Sequence, residues 1–253
     1  LRDEVNLLLE LADLFSELDA LQAFAFSATV HGYVRPRMSE ERILEIVEGR
    51  HPMVEANLTG GAFVPNSLKL RPEATSFILL TGPNMAGKST YLRQNALIVL
   101  MAQIGSFVPA AEALIGIVDH IFCRVGATDN LARGESTFLV EMSETANILR
   151  SATTKSLVLM DEVGRGTGTN DGLAIAWAVS EYMLNRVGAF TLFATHYYQL
   201  TALQHPRLAN FSMAVLERDG GIVFLKQVRP GPADNSYGIH VAKLAGIPEE
   251  VIR

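Results

Sequence analysis

A glycine-rich loop carries the clearest chemical signal in this sequence. An apolar run precedes it, and a helical pattern with apolar residues on one face follows it. A loop at the start of a helix leaves backbone N–H groups without partners, and these donors, the helix dipole and a lysine ammonium together suit a triphosphate. We therefore expect Lys88 to reach the β- and γ-phosphates and the Ser89 hydroxyl to bind Mg²⁺; an ordinary glycine turn is the alternative. The loop has the form Gly-x-x-x-x-Gly-Lys-Ser and consists of Thr81-Gly82-Pro83-Asn84-Met85-Ala86-Gly87-Lys88-Ser89-Thr90.

Two adjacent carboxylates follow another apolar run further along the chain. Asp161 and Glu162 come directly after Leu157-Val158-Leu159-Met160. In P-loop ATPases an aspartate at this point holds Mg²⁺, directly or through water, and a neighbouring carboxylate can lie where the attacking water sits. We therefore predict Asp161 as a Mg²⁺ ligand and Glu162 as the general base. The alternative is a solvated strand end.

Three other side chains are candidates whose role the residues alone leave open. His196 follows the apolar run 191–194 and could bond the γ-phosphate, position the water or be structural. Ser136 lies at the predicted start of a helix, where a plain N-cap is favoured over a phosphate contact, and Thr137 could be the cap instead. Phe63 lies shortly before the glycine loop and could stack on adenine.

The order of the elements predicts an α/β fold. Strands alternate with helices and are nearly all apolar, which indicates a parallel sheet covered on both faces. Ligands of such sheets bind at the carboxyl ends of the strands, where Gly82, Asp161 and His196 fall. The sequence also predicts strands and turns at 43–63, a stretch at 115–125 that partly resembles a buried strand, and helices at 138–149 and 172–185 with Asp171 as N-cap. It further predicts a hairpin of strands 210–216 and 222–228 and short helices at 237–245 and from Pro248.

The first residues predict one long helix. Its apolar seam is formed by Leu7, Leu11, Leu14, Leu18 and Leu21, and the pattern ends near Gly32. We expect this helix to arrive from an upstream domain and to pack against neighbouring helices. Because the chain starts with Leu1, we expect a fragment or a processed chain.

The composition excludes several classes of protein. The 253 residues have a net charge of −6, which argues against a free-standing nucleic-acid binder with a basic surface. No apolar stretch is long enough to cross a bilayer and no signal peptide is visible. The single cysteine, Cys123, cannot form an internal disulfide, which predicts a reducing cytoplasm, and we interpret it as a small core residue. His120, His205 and His240 lack partners at metal-ligand spacing.

Five motifs in this order resemble the ATPase domain of the MutS family of DNA mismatch-repair proteins. The similarity runs from about Gly49 to Arg253. The resemblance implies the end of a core helical domain at 1–35, an ABC-type P-loop ATPase domain with a mainly parallel sheet at 36–235, and a truncated C-terminal helix-turn-helix that dimerises at 236–253. The motifs are Gly-Pro-Asn-Met-Ala-Gly-Lys-Ser-Thr-Tyr-Leu-Arg-Gln (82–94), Ser-Thr-Phe-Leu-Val-Glu-Met (136–142), Asp-Glu-Val-Gly-Arg-Gly-Thr (161–167), Ala-Thr-His-Tyr (194–197) and Ser-Tyr-Gly-Ile-His-Val-Ala-Lys-Leu-Ala-Gly-Ile-Pro (236–248).

The resemblance also implies ATP and Mg²⁺ as cofactors and composite sites in a homodimer. Lys88, Glu162 and His196 then serve one nucleotide, and Ser136 reaches across to the nucleotide of the partner. Phe63 matches the aromatic residue that stacks on adenine. The loop 164–170 is expected along the dimer interface.

Other implications concern the intact protein. Mismatched DNA is bound through upstream domains that are absent here, including a Phe-x-Glu wedge and a helical clamp, so we expect this chain to bind DNA weakly or not at all. A MutL-type repair protein is the expected downstream partner. At Ala86 the family commonly has glycine, so the backbone there must tolerate a Cβ atom.

Two alternatives stay open at this point. One is an ATPase of a related recombination or repair protein. The other is a nucleotide-sensing dimerisation module that binds ATP and hydrolyses it negligibly as an isolated fragment.

Overall fold

The computed structural model describes residues 4–126, 137–218, 221–233 and 237–252. The helices are α1 (Val5–His31), α2 (Pro52–Ala56), α3 (Lys88–Gln103), α4 (Thr137–Ser151), α5 (Thr169–Tyr182), α6 (Gly238–Leu244) and α7 (Glu249–Ile252), with a π-helical turn at Met183–Val187 and a 3₁₀ helix at Tyr198–Ala202. The strands are β1 (Arg37–Ser39), β2 (Leu44–Gly49), β3 (Asn66–Leu70), β4 (Phe77–Thr81), β5 (Glu112–Gly116), β6 (Ile121–Arg124), β7 (Leu157–Asp161), β8 (Phe190–Ala194), β9 (Leu208–Arg218) and β10 (Gly221–Pro230).

The larger sheet has six strands in the order β10-β9-β4-β8-β7-β6. All neighbours in it are parallel except the hairpin β9–β10. Every residue of β4, β7 and β8 is buried, as a parallel sheet covered on both faces requires. The predicted parallel sheet is therefore confirmed. Its parallel strands bring the ends of β4, β7 and β8 to one edge.

Alternate residues of β4 enter two different cores, because side chains of a strand point to opposite faces. Ile78 and Leu80 belong to the core around α3, which also contains residues of β2 and β3. Phe77 and Leu79 belong to the core on the other face, which α5 and the π-helical turn cover. The strand is thus fixed from both sides, and so is the loop that follows it.

The smaller sheet has the order β1-β5-β2-β3 and is antiparallel except for the pair β1–β5. Its strand β3 alternates between buried and exposed residues, so one face packs inward. Leu68 and Leu70 of that face lie in the same core as Leu92 and Ile98 of α3. Helix α3 therefore packs between the two sheets, directly behind the glycine loop.

Helix α1 ends at His31 and is capped by Gly32 in a left-handed conformation, so the predicted end near Gly32 is confirmed. It has no buried residue in the described part of the chain, and its leucine seam is 41–63% exposed. Within the described residues, no neighbouring helix therefore buries this seam, and the predicted packing against other helices is not observed. None of the described helices is long and apolar enough to cross a membrane.

Four local predictions were wrong. Where only strands and turns were expected at 43–63, Pro52–Ala56 forms α2, since Pro52 starts a helix readily and the His51 ring accepts the Val54 N–H at 3.3 Å. The strand expected at 115–125 is two strands in different sheets. Helix α5 begins at Thr169, so Asp171 lies in its first turn instead of capping it. Cys123 is exposed and not a core residue, because β6 is an edge strand.

Candidate active site

A cavity of about 1030 Å³ opens at the carboxyl edge of the larger sheet. The glycine loop, the start of α3, the end of β7 and the start of α4 supply one group of its lining residues, named here the charged end. Side chains from α2 and from the segment before β3 supply a second group, named the apolar end. The lining includes Val54, Leu58, Phe63, Val64, Asn66, Lys88, Ser89, Arg124, Glu141, Asp161, Glu162, Arg165 and Lys226.

The glycine loop needs left-handed backbone at three positions. Gly82 and Gly87 have φ values of +136° and +108°, and Met85 has +73°. A Cβ atom at Gly82 would also lie 3.0 Å from the Met213 Cβ, so a larger residue would press on β9 as well as strain the backbone. Ala86 has an ordinary negative φ and is fully buried. The expectation that the backbone at Ala86 tolerates a Cβ atom is confirmed.

Lys88 is the first residue of α3, and only 4% of it is exposed. Its ammonium donates to the Gly82 carbonyl at 2.7 Å and to the Asn84 side-chain oxygen at 3.2 Å. Burial lowers the pKa of Lys88, while the carboxylates of Glu162 and Asp161 act in the opposite direction. A buried ammonium that lines a cavity is a strong site for an anion, because an anion compensates for the water it has lost.

Ser89 and Asp161, which both line the cavity, are joined by a hydrogen bond. The Ser89 hydroxyl donates to Asp161 Oδ2. Burial raises the pKa of Asp161, and this hydrogen bond opposes the shift. Asp161 Oδ1 is buried without a hydrogen-bond partner in the part of the chain that the structure describes. A hydroxyl beside a carboxylate with one free oxygen is the hard oxygen donor set that Mg²⁺ prefers, so these residues fit the metal that the sequence predicts.

Glu162 is half-buried at the end of β7 and has a left-handed backbone, with φ of +55°. Its N–H donates to the Ala194 carbonyl of the neighbouring strand at 2.9 Å. Its side chain lines the cavity and accepts from Arg165 Nη1 at 2.6 Å. The Arg165 side chain is 68% exposed, so solvent screens its charge and the guanidinium can move away when the carboxylate turns towards a bound substrate.

The other predicted site residues differ in their placement. Phe63 is half-buried and lines the cavity. His196 is exposed at the end of β8 and does not belong to the cavity lining; its ring lies 4.0 Å from the Tyr197 ring. Its neighbours still desolvate it enough to lower its pKa, and Glu162 opposes this shift. Ser136 lies outside the described residues.

The structure adds Lys226 and Asn66 to the cavity, which the sequence did not indicate. Lys226 lies at a bulge in β10 with φ of +56°, and its ammonium donates to the Met85 carbonyl of the glycine loop. Asn66 holds the bulge, since it donates to the Lys226 carbonyl at 2.9 Å and accepts from the Val228 N–H at 2.7 Å. No local motif marks either residue, because the hairpin reaches the loop only through its pairing beside β4.

Comparisons with known proteins identify the family. A family model described as MutS domain V matches residues 78–253. This chain belongs to the MutS family. The sequence-based identification is thereby confirmed, and the structure has the mixed α/β fold with a parallel sheet that the sequence predicts.

Three relatives give the same result, and each is named DNA mismatch repair protein MutS. The protein from Treponema denticola is 62% identical over 253 residues, which cover 96% of this chain and 28% of the relative. That from Treponema pallidum is 61% identical over 241 residues, covering 94% and 27%. That from Halothermothrix orenii is 56% identical over 254 residues, covering 99% and 28%. This MutS-family chain thus spans a little over a quarter of the length of these relatives.

Proposed function

We propose that this chain is the Mg-ATP-binding and ATP-hydrolysing domain of a DNA mismatch-repair protein, and that it couples the state of the nucleotide to mismatch recognition. The observation that carries the proposal is that four side chains line one cavity: Lys88 and Ser89 at the start of α3, and Asp161 and Glu162 at the end of β7. An ammonium, a metal donor pair and a second carboxylate within one cavity are the parts that phosphoryl transfer to water needs. The names of the relatives supply the repair context.

In the proposed reaction, water attacks the γ-phosphorus in line with the leaving ADP oxygen. Lys88 and the N–H groups of the glycine loop hold the β- and γ-phosphates and stabilise the charge of the transition state. Ser89 and Asp161 would hold Mg²⁺, which supplies further positive charge to the phosphate oxygens when it is bound. Glu162 orients the water and accepts its proton, so that the products are ADP and inorganic phosphate. His196 would assist near the γ-phosphate from the end of the neighbouring strand.

At the other end of the cavity, Phe63 would stack on adenine among apolar neighbours. The remaining groups come from a second copy of the chain. We propose ABC-type composite sites in a homodimer, with Ser136 of each copy completing the site of the other and the residues from 236 onwards contacting the partner. In the whole protein the upstream domains would bind mismatched DNA, and a MutL-type protein would be recruited.

The test is ATP turnover per protomer over a wide range of protein concentration, measured beside nucleotide affinity. We expect specific activity to rise with concentration and then saturate, because a composite site is complete only in a dimer. Mixing Lys88→Ala and Ser136→Ala variants sharpens the test, since a mixed dimer contains one site with both wild-type residues. The mixture should therefore be more active than either variant alone.

Three other results would contradict parts of the proposal. Turnover that is constant at all concentrations would show that one chain hydrolyses ATP alone. Tight binding with no turnover at any concentration would show a nucleotide sensor. Failure to bind Mg-ATP would reject the proposed function as a whole.

A further inference from the structure

Glu141 is a buried carboxylate that the proposed reaction does not use. It lies on α4 and is 5% exposed. Burying a charged group is unfavourable unless it is paired, and this one is paired on both oxygens. Oε1 accepts the N–H of Gly164 at 2.5 Å, and Oε2 lies 3.6 Å from Arg124 Nη2. Glu141 therefore joins α4 to the loop that follows Glu162 and to the end of β6.

The loop that Glu141 holds is fixed at both backbone groups of Gly164. Its N–H is bound by Glu141, and its carbonyl accepts the Tyr197 hydroxyl at 2.9 Å. Gly164 has φ of +89°, and a Cβ atom there would lie 2.5 Å from the Gly172 carbonyl oxygen. The loop thus has little space for alternative conformations. Glu162 lies two residues earlier, and its N–H donates to the Ala194 carbonyl. The backbone on either side of the Glu162 side chain is therefore held, by Ala194 before it and by the contacts of Gly164 after it.

Arg124 forms the second half of this arrangement. It is buried at the end of β6 and lines the same cavity as Glu141. Its Nη1 donates to the Gly126 carbonyl at 2.6 Å, and its Nε lies 2.8 Å from Glu144 Oε2. The cluster therefore links the end of β6 with α4 and with the loop after β7 through paired charges that line the cavity.

We propose that Glu141 is a positioning residue for Glu162: its hydrogen bond to the Gly164 N–H sets the loop that aims the Glu162 carboxylate. The proposal rests on the proposed function, because it assigns a role in the hydrolysis of ATP. A shift of the start of α4 would move Glu141 and, through Gly164, the loop of the general base. The rate of hydrolysis would then depend on the position of α4, while the groups that hold the phosphates would stay in place.

The test compares Glu141→Ala and Glu141→Gln with Glu144→Ala. Glu144 is the matched control, because it lies on the same helix and pairs with the same arginine, but it is exposed and does not contact Gly164. We expect Glu141→Ala to lower kcat about 10- to 100-fold, the range for a misplaced reactive group, with ATP affinity unchanged within about twofold. Glu141→Gln keeps an acceptor oxygen for the Gly164 N–H and should recover most of the rate. Glu144→Ala should leave kcat unchanged.

A double variant and hydrogen exchange separate positioning from a general loss of structure. In the Glu162→Gln background, Glu141→Ala should cause no further fall in kcat, since the group that it positions is already gone. Backbone amide exchange at residues 162–166 should become faster in Glu141→Ala and stay unchanged in Glu144→Ala. Additive losses in the double variant would overturn the proposal, and so would faster exchange with an unchanged kcat. If wild-type turnover equals that of Glu162→Gln, Glu162 is not the base and this inference falls with that assignment, whereas failure to bind Mg-ATP would reject the proposed function itself.

Discussion

The cavity has a charged end and an apolar end, and different parts of the fold form them. The charged end is placed by buried strands: Lys88 follows β4, and Asp161 is the last residue of β7. The apolar end comes from a short helix and a loop, and Val54, Leu58 and Val64 are 36–42% exposed there. The side chains proposed to hydrolyse ATP are thus held in place by the core. The side chains proposed to contact the adenine ring are only partly buried. A bound ring would bury this apolar surface, so the apolar end should contribute to affinity and not to the rate.

The largest effect is expected for Glu162→Gln at the charged end. The amide keeps the shape of the side chain but cannot accept the proton of water, so kcat should fall about 10²- to 10⁴-fold. ATP affinity should change by less than about twofold, because Glu162 serves the transition state and not the ground state. Single-turnover hydrolysis and nucleotide titration measure the two quantities. Unchanged turnover would show that another group is the base.

Lys88→Ala should act on binding itself. Loss of a charge-assisted contact to phosphate costs about 2 kcal/mol, which is about 30-fold in the Kd for ATP. AMP, which lacks the β- and γ-phosphates, should bind the variant and the wild type equally. Calorimetric titration with ATP, ADP and AMP tests this, and an equal loss for all three nucleotides would contradict the proposed role. Lys88→Arg is the informative control, since it retains the charge in a different shape.

The same division explains what the sequence could predict. The glycine loop and the pair Asp161 and Glu162 could be predicted because each follows an apolar strand directly in the sequence. A parallel sheet brings the ends of these strands to one edge, so no knowledge of distant contacts was needed to place them together. Lys226 and Asn66 could not be predicted in this way, because their contacts depend on a bulge in β10 and on the pairing of distant strands.

The errors have similar physical causes. The expected strand at 115–125 contains two apolar stretches, and the sequence pattern does not show that they enter different sheets. The spacing of the leucines in α1 predicted a helix correctly. The same spacing does not indicate which other surface, if any, packs against the leucine seam. Cys123 was misjudged because an edge strand exposes residue types that a central strand buries.

Phe63→Ala tests the apolar end. Loss of a stacked ring is worth about 1 kcal/mol, so the Kd for ATP should rise about fivefold. Unlike Lys88→Ala, it should weaken ATP and ADP by the same factor, because stacking does not sense the phosphates. Phe63→Trp should retain the affinity, and kcat at saturating ATP should stay at the wild-type value. If kcat falls while the Kd is unchanged, the assignment of this end to the adenine base is wrong.

The smallest expected effect concerns the cap of α2, the helix that carries Val54 into the apolar end. His51 is buried, and its ring nitrogen accepts the Val54 N–H, so only the neutral ring can cap the helix. Burial lowers the pKa of His51 in the folded protein below its usual value of 6.5. The stability that the neutral ring contributes is therefore fully present above pH 6.5, and it is lost as the pH falls through the lowered pKa of the folded state. Loss of the cap costs about 1 kcal/mol, or about 2–4 °C in Tm for a chain of this size. His51→Asn caps the helix without titrating, so the Tm of the wild type should fall more steeply than that of the variant between neutral and mildly acidic pH. Parallel Tm curves would show that the His51 ring does not support the apolar end through its neutral form.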